Sequence, residues 1–214
     1  MPISEDLFSR LAKVRTAPLS DVMRRMGRDP NTMHSSMKPV WQGAEVCGPA
    51  FTVRTYPGAT HGCDLALGQA KPGEVIVLAG GGHTEAILWG EIYSACAKQL
   101  GLGGTVIDGA TRDVQGIREV GYPVFARAVT PRGGTADNQQ SEAGVPVSCA
   151  GVLVRPGDAV RGDEMGVVVV PAEVADEVIT RAEALQRREE RLLELLRSGT
   201  PLREASRICA EEGL

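Results

Sequence analysis

Gly104-Thr-Val-Ile-Asp-Gly-Ala-Thr-Arg-Asp113 is the stretch on which the fold class turns. Gly104 to Ile107 is a short run rich in β-branched residues and reads as a buried strand, with Asp108-Gly109 as the turn that ends it. Arg112 and Asp113 then stand just past the carboxyl end of a strand, where open α/β sheets place their ligands. An adjacent cation and carboxylate can divide one task, the planar guanidinium gripping a substrate carboxylate while Asp holds a hard divalent cation beside it. An Arg-Asp dipeptide alone is most often a solvated surface pair, so its surroundings decide what it is worth.

Upstream, Leu88-Trp-Gly-Glu-Ile-Tyr93 places Glu91 at the start of a helix running to about Leu100, with positions 92 to 111 separating Glu91 from Arg112. One helix and one strand fit that interval, which lets the acid and the Arg-Asp pair meet in one pocket. Amides at a helix start are unsatisfied donors in a favourable dipole. The backbone from Gly90 through Ile92 to Tyr93 therefore suits an anion, and Gly90 lets it approach the main chain closely.

Toward the N-terminus the pattern predicts short helices over Glu5 to Val14 and Leu19 to Met26, the second introduced by Thr16-Ala-Pro18, and a strand over Ala50 to Thr55. A short helix across Asp64 to Ala70, a turn at Lys71-Pro-Gly73 and a strand from Val75 to Ala79 follow. Gly80-Gly81-Gly82 lacks the P-loop ending and the spaced dinucleotide-binding glycines, and reads as a loop leading into a helix over 84 to 100. Beyond Arg112 come a turn or short helix, a strand over Val124 to Ala128, and strands near Val145 to Val154 and Val167 to Val170. Alternating strands and helices followed by strand-rich sequence predict an α/β domain whose core sheet is covered on one side by helices. From Ala172 to Arg197, charges interleave with Val174, Val178, Ala182, Leu185 and Leu192, as in an amphipathic helix resting on its own domain or on a partner.

The 214 residues, 43% apolar, suffice for one packed domain, read as residues 1–175 with a C-terminal helical extension over 176–214 in the same unit. A net charge of -4 gives no electrostatic reason to expect nucleic acid or an anionic membrane as a partner. No stretch approaches the roughly 20 apolar residues that span a bilayer. Met1-Pro-Ile-Ser-Glu-Asp6 has neither the basic start nor the apolar run of a signal peptide, so a cytoplasmic location is the expectation. Cys47, Cys63, Cys96, Cys149 and Cys209 show no metal or disulfide spacing and read as reduced and mostly structural. His34, His61 and His83 show no ligand spacing either, although His61 and His83 fall in glycine-rich segments that can border a site.

Six segments together carry a resemblance: Gly48-Pro-Ala-Phe-Thr-Val53, Lys71-Pro-Gly-Glu-Val-Ile-Val77, Trp89-Gly-Glu91, the opening stretch Gly104 to Asp113, Gly121-Tyr-Pro-Val-Phe125 and Gly166-Val-Val-Val-Val-Pro171. In that order, and over about residues 16 to 175, the chain resembles the RraA-like proteins. These include the class II, metal-dependent 4-hydroxy-4-methyl-2-oxoglutarate/4-carboxy-4-hydroxy-2-oxoadipate aldolases. The resemblance implies a three-layer α/β/β sandwich of the swivelling-domain type. It implies that Asp113 contacts a Mg²⁺ or Mn²⁺ ion, that Arg112 binds the pyruvyl portion of a 2-oxo acid, and that Gly90, Glu91, Ile92 and Tyr93 receive its carboxylate. Glu91 is implied to act through a metal-bound water.

The implied activity is cleavage of a 4-hydroxy-2-oxo acid to release pyruvate, with oxaloacetate decarboxylation through the same enolate, in a homotrimer or homohexamer. Two other readings stand beside it: a protein-binding regulator of ribonuclease E without aldolase activity, and a related lyase on another 2-oxo acid. The chain departs from the family in Leu195-Leu-Arg-Ser-Gly-Thr-Pro-Leu-Arg-Glu204. There Thr200 stands where an acidic metal partner from a neighbouring subunit is expected, and Glu204 is the alternative. It departs again at Met165, where the nearby acids are Asp163 and Glu164.

Overall fold

The computed structural model describes residues 3–28, 31–135 and 140–214. In chain order the strands are β1 (Lys38–Pro39), β2 (Val46–Arg54), β3 (Val75–Trp89), β4 (Gly104–Thr111), β5 (Val124–Val129), β6 (Glu142–Ala143), β7 (Val147–Cys149), β8 (Val152–Val154), β9 (Ala159–Asp163) and β10 (Gly166–Val170). The helices are α1 (Glu5–Leu11), α2 (Thr16–Arg25), α3 (His61–Gln69), α4 (Glu91–Gln99), α5 (Val114–Val120), α6 (Ala175–Arg197) and α7 (Leu202–Glu211). Strands β2, β3, β4 and β5 run parallel, and α3, α4 and α5 are the crossovers that parallel neighbours require. The full sheet order is β1-β5-β4-β3-β2-β9-β10, with β6 also on β2 and β7–β8 as a separate hairpin.

Period-2 alternation sends the residues of each central strand to two different cores. Ile76, Leu78, Ile107 and Val124 face Cys63 and Ala66 of α3, Ala97 of α4 and Ile117 of α5. Val75, Val77, Val106 and Phe125 face the hairpin residues Val147, Cys149, Val152 and Val154, together with Val160, Val167 and Val169. The sheet therefore curls until β9 and β10 lie over its own inner face, which gives the α/β/β layering. Both faces of β9–β10 are buried, because Ala159, Val168 and Val170 point outward against Leu19 of α2 and Val178 and Ile179 of α6. The helices thus occupy two outer layers, where the sequence pattern suggested one. Helix α7 closes against α6 with Ala205 and Cys209 buried.

Gly162 lies at a close approach within the curl. A Cβ there would sit 2.8 Å from Cγ2 of Val46 and 3.1 Å from the Phe125 ring. Gly162→Ala is expected to lower stability by roughly 1–3 kcal/mol through overpacking, seen as a lower urea midpoint with an unchanged slope. An unchanged midpoint would mean the curl is looser than described.

Several boundaries differ from the sequence expectation. Asp108-Gly109 is no turn: β4 runs on to Thr111, because the buried Asp108 carboxylate is compensated inside the fold by Arg127 Nη1 at 3.0 Å. Gly80-Gly81-Gly82 is no exit loop either. Gly81 and Gly82 take φ of +68° and +74° and bend β3 without ending it, so the chain rejoins β4 through Ile87 and Trp89. The helix expected from position 84 starts only at Glu91. Helix α2 begins at Thr16 rather than Leu19, its first turn held from outside by Asp163, which accepts from the Thr16 amide at 2.8 Å and hydroxyl at 2.7 Å. The segment Val145 to Val154 is a two-residue hairpin turning at Ala150-Gly151, both with positive φ, and β9 had no alternation clear enough to be read. Among the described residues, no helix is long and apolar enough to cross a membrane.

Candidate active site

Strands β3 and β4 end side by side. The Trp89 carbonyl accepts from the Arg112 amide at 3.2 Å and from the Thr111 hydroxyl at 3.0 Å. Each strand then releases a helix within two residues, α4 from Gly90 and α5 from Asp113. The start of α4 is fixed further by Ser94, whose hydroxyl donates to the Gly90 carbonyl at 3.0 Å and accepts from Trp89 Nε1 at 2.8 Å.

Asp113 holds φ 57°, ψ 39°, the left-handed region, and is one of only two non-glycine residues with positive φ among those described. A residue other than glycine in that region costs on the order of 1 kcal/mol. Its carboxylate does not cap α5. It turns instead toward α4, where Oδ2 accepts from the Glu91 amide at 3.5 Å and from Arg112 Nε at 3.3 Å. A Cβ on residue 90 would lie 2.8 Å from that oxygen, so glycine is what admits the carboxylate to the helix start. The Arg112 and Asp113 side chains are 43% and 41% exposed. A pair so solvated contributes little by itself, and both groups are accessible to a ligand.

These groups share one cavity of about 410 Å³, walled by Gly90, Ile92, Tyr93, Arg112, Asp113 and Thr60, with Ile87, Gly133 and Gly134 completing it. A neighbouring hollow of about 330 Å³ reaches Arg112 and Asp113 from the side of Val129 and Pro131. Of the residues expected from sequence, Gly90, Ile92, Tyr93, Arg112 and Asp113 come together as walls. Glu91 contributes its amide, while its carboxylate lies across Gly116 of α5, where any side chain on residue 116 would collide with it. His61 opens α3 next to Thr60, with Nδ1 buried and unpartnered among the described residues. His83 lies inside β3, and His34 is tied to Ser36 at 2.9 Å. None of the three histidines walls the cavity.

Burial pushes the Cys63 and Cys149 thiols well above their usual range and the Cys47 thiol up to about 11. All five cysteines are unpaired, with Cys63, Cys149 and Cys209 buried. Thr60, Ile87, Gly133 and Gly134 were not expected at the site. They are ordinary residue types on distant segments, and only the folded chain brings them to Arg112.

Elements and site together define a mixed α/β protein in which a helix start stands beside an Arg-Asp pair. The chain belongs to the RraA-like family, Aldolase/RraA, whose model matches residues 16–169. It is 32% identical over 184 residues, 85% of this chain and 84% of the other, to a protein provisionally named 4-hydroxy-4-methyl-2-oxoglutarate aldolase from Halalkalibacterium halodurans. It is 30% identical to Protein DlpA of Legionella pneumophila over 97% of this chain, and spans 34% of that longer protein. Streptomyces coelicolor RraAS2, described as an unusual member of the RNase ES inhibitor RraA family, shares the fold with a TM-score of 0.76 and 29% identity, covering 89% of this chain and 97% of its own.

Proposed function

We propose that the protein is a divalent-metal-dependent aldolase that cleaves a 4-hydroxy-2-oxo acid and releases pyruvate, with oxaloacetate decarboxylation as a second activity. The observation that carries this reading is the Asp113 carboxylate, held in a left-handed backbone against the amide of Glu91 and the guanidinium of Arg112 within one cavity. Among the described residues no three His, Cys, Asp or Glu side chains converge on a metal position, so the donor set is unlike a zinc cage. One exposed carboxylate suits Mg²⁺ or Mn²⁺, hard ions that commonly keep waters and take one or two carboxylates together with oxygens of the substrate. Asp113 is the residue that would hold the ion, which when bound supplies Lewis acidity to the 2-oxo group and a carboxylate oxygen of the substrate.

The chain's own groups account for the remaining work. The amides of Glu91, Ile92 and Tyr93 receive the carboxylate. The Arg112 fork complements the charge that grows as the C3–C4 electron pair moves toward the 2-oxo carbonyl and leaves an enolate. Two proton movements complete the reaction, one away from the C4 hydroxyl and one onto C3, and the exposed Glu91 carboxylate orients water for them. In oxaloacetate the same enolate forms as carbon dioxide departs. Ile92 and Val129, 83% and 60% exposed beside the two hollows, support a homotrimer or homohexamer in which a neighbouring subunit covers this apolar rim.

The test is pyruvate release from 4-hydroxy-4-methyl-2-oxoglutarate by chelator-treated protein, with and without added Mn²⁺. Release only in the presence of metal is expected, and equal release without it overturns the reading. The likeness to RraAS2 favours, as a second reading, inhibition of an RNase E-type enzyme. No pyruvate from any 4-hydroxy-2-oxo acid, together with inhibition of such a ribonuclease, decides for it.

A further inference from the structure

Helix α5 carries a glycine that its own backbone does not need. Gly116 stands inside the helix and is not among the residues with positive φ, and glycine is the poorest helix former after proline because it surrenders the most backbone freedom. The helix is short and its first turn has no side-chain cap, so alanine at this position would strengthen it. What keeps the position open belongs to the other helix. Outside α5, the three atoms nearest to a Cβ on residue 116 are Cδ, Oε2 and Cγ of Glu91, the last at 2.8 Å. All three are side-chain atoms and none is backbone of α4. The glycine therefore makes room for one carboxylate rather than for a closer crossing of the two helices.

Glu91 fills that room without a charged partner. Among the described residues its carboxylate forms no ion pair and no hydrogen bond, and the residue is exposed in the first turn of α4. A long side chain on a helix surface ordinarily spreads over several rotamers. Here the bare backbone of Gly116 offers it a seat between α4 and α5, next to the cavity walls Gly90 and Ile92. With no partner in the protein, its oxygens stay available to accept from water.

Resting on the aldolase reading, we propose that Gly116 is a positioning residue, which seats the Glu91 carboxylate and so fixes the water through which the two protons of the reaction move. One proton leaves the C4 hydroxyl as the C3–C4 bond breaks and its electron pair enters the enolate. One returns to C3 as the enolate becomes pyruvate, so no proton is gained or lost over the turnover. A methyl group on residue 116 lifts the carboxylate from its seat and leaves the amides of residues 91 to 93, Arg112 and Asp113 where they are. The loss then falls on proton transfer and not on binding.

The test is a double-mutant cycle between residues 116 and 91. It is read in pyruvate release from 4-hydroxy-4-methyl-2-oxoglutarate and in exchange of the pyruvate methyl protons with deuterated water, both in Mn²⁺. Gly116→Ala is expected to lower kcat and the exchange rate by about 10²-fold, the loss that a displacement on the order of 1 Å brings, with KM unchanged. Glu91→Ala is expected to lose at least as much, and adding Gly116→Ala to it lowers neither rate further. The double variant is expected to melt about 2–4 °C above Glu91→Ala, because alanine then strengthens α5 with nothing in its way. Wild-type rates in Gly116→Ala overturn the assignment. So does an equal loss from Gly116→Ala with and without Glu91, which would place the effect in α5 itself. A wild-type protein that exchanges pyruvate protons but cleaves no 4-hydroxy-2-oxo acid ends the aldolase reading alone, since the cycle is still read in exchange, and one that does neither ends both.

Discussion

Asp113→Asn is expected to lower metal-dependent pyruvate release by about 10³-fold, the rate equivalent of the several kcal/mol that a metal's Lewis acidity contributes. Asn keeps the shape of the side chain and tolerates the left-handed backbone at residue 113, so the substitution removes charge with little change to the fold. The lost pairing with Arg112 involves side chains 43% and 41% exposed and is worth at most about 1 kcal/mol. The measurement pairs steady-state cleavage after chelation and Mg²⁺ replacement with a thermal melt. Retained activity with a normal melt would remove Asp113 from the chemistry, and lost activity with a collapsed melt would make its role structural.

Arg112→Lys is the second large effect, a fall of about 10²-fold in kcat/KM. Lysine preserves the positive charge but offers a single ammonium where arginine offers a planar fork, so the loss isolates geometry from charge. It falls on kcat as well as KM if the fork tightens on the enolate rather than on the bound acid. A variant changed only in KM would assign Arg112 to uniform binding, and one with normal kinetics would release it from the site.

Both residues were legible because they are consecutive and because the apolar run before them can only be a strand end or its near neighbour. Gly90-Glu91 reads as a helix start beside a competing helix from position 84, and the structure starts α4 at Glu91. Thr60 could not be named from sequence: it belongs to no spaced motif, and it meets Tyr93 at the cavity wall only through the packing of α3 against α4.

The misread strand boundaries have a physical cause as well. Gly81 and Gly82 in left-handed conformation bulge a strand as readily as they end one, and Ala86 to Trp89 is too short an apolar run for periodicity to separate helix from strand. Asp108 looked like a turn residue because its partner, Arg127, lies nineteen positions away and the pairing is tertiary. The outer helical layer on β9–β10 was hidden for a related reason: a valine run buried on both faces has the same composition as one buried on a single face.

The conformation of residue 113 carries a consequence for how this architecture can change its trade. Main chain at that point accepts aspartate, asparagine and glycine almost interchangeably, while only the first of them has an ionised oxygen to offer. On the aldolase reading, one nucleotide exchange there would silence the reaction and leave the backbone around it as it is. The letter at this single place would then separate a catalyst from an inert copy cast in the same mould.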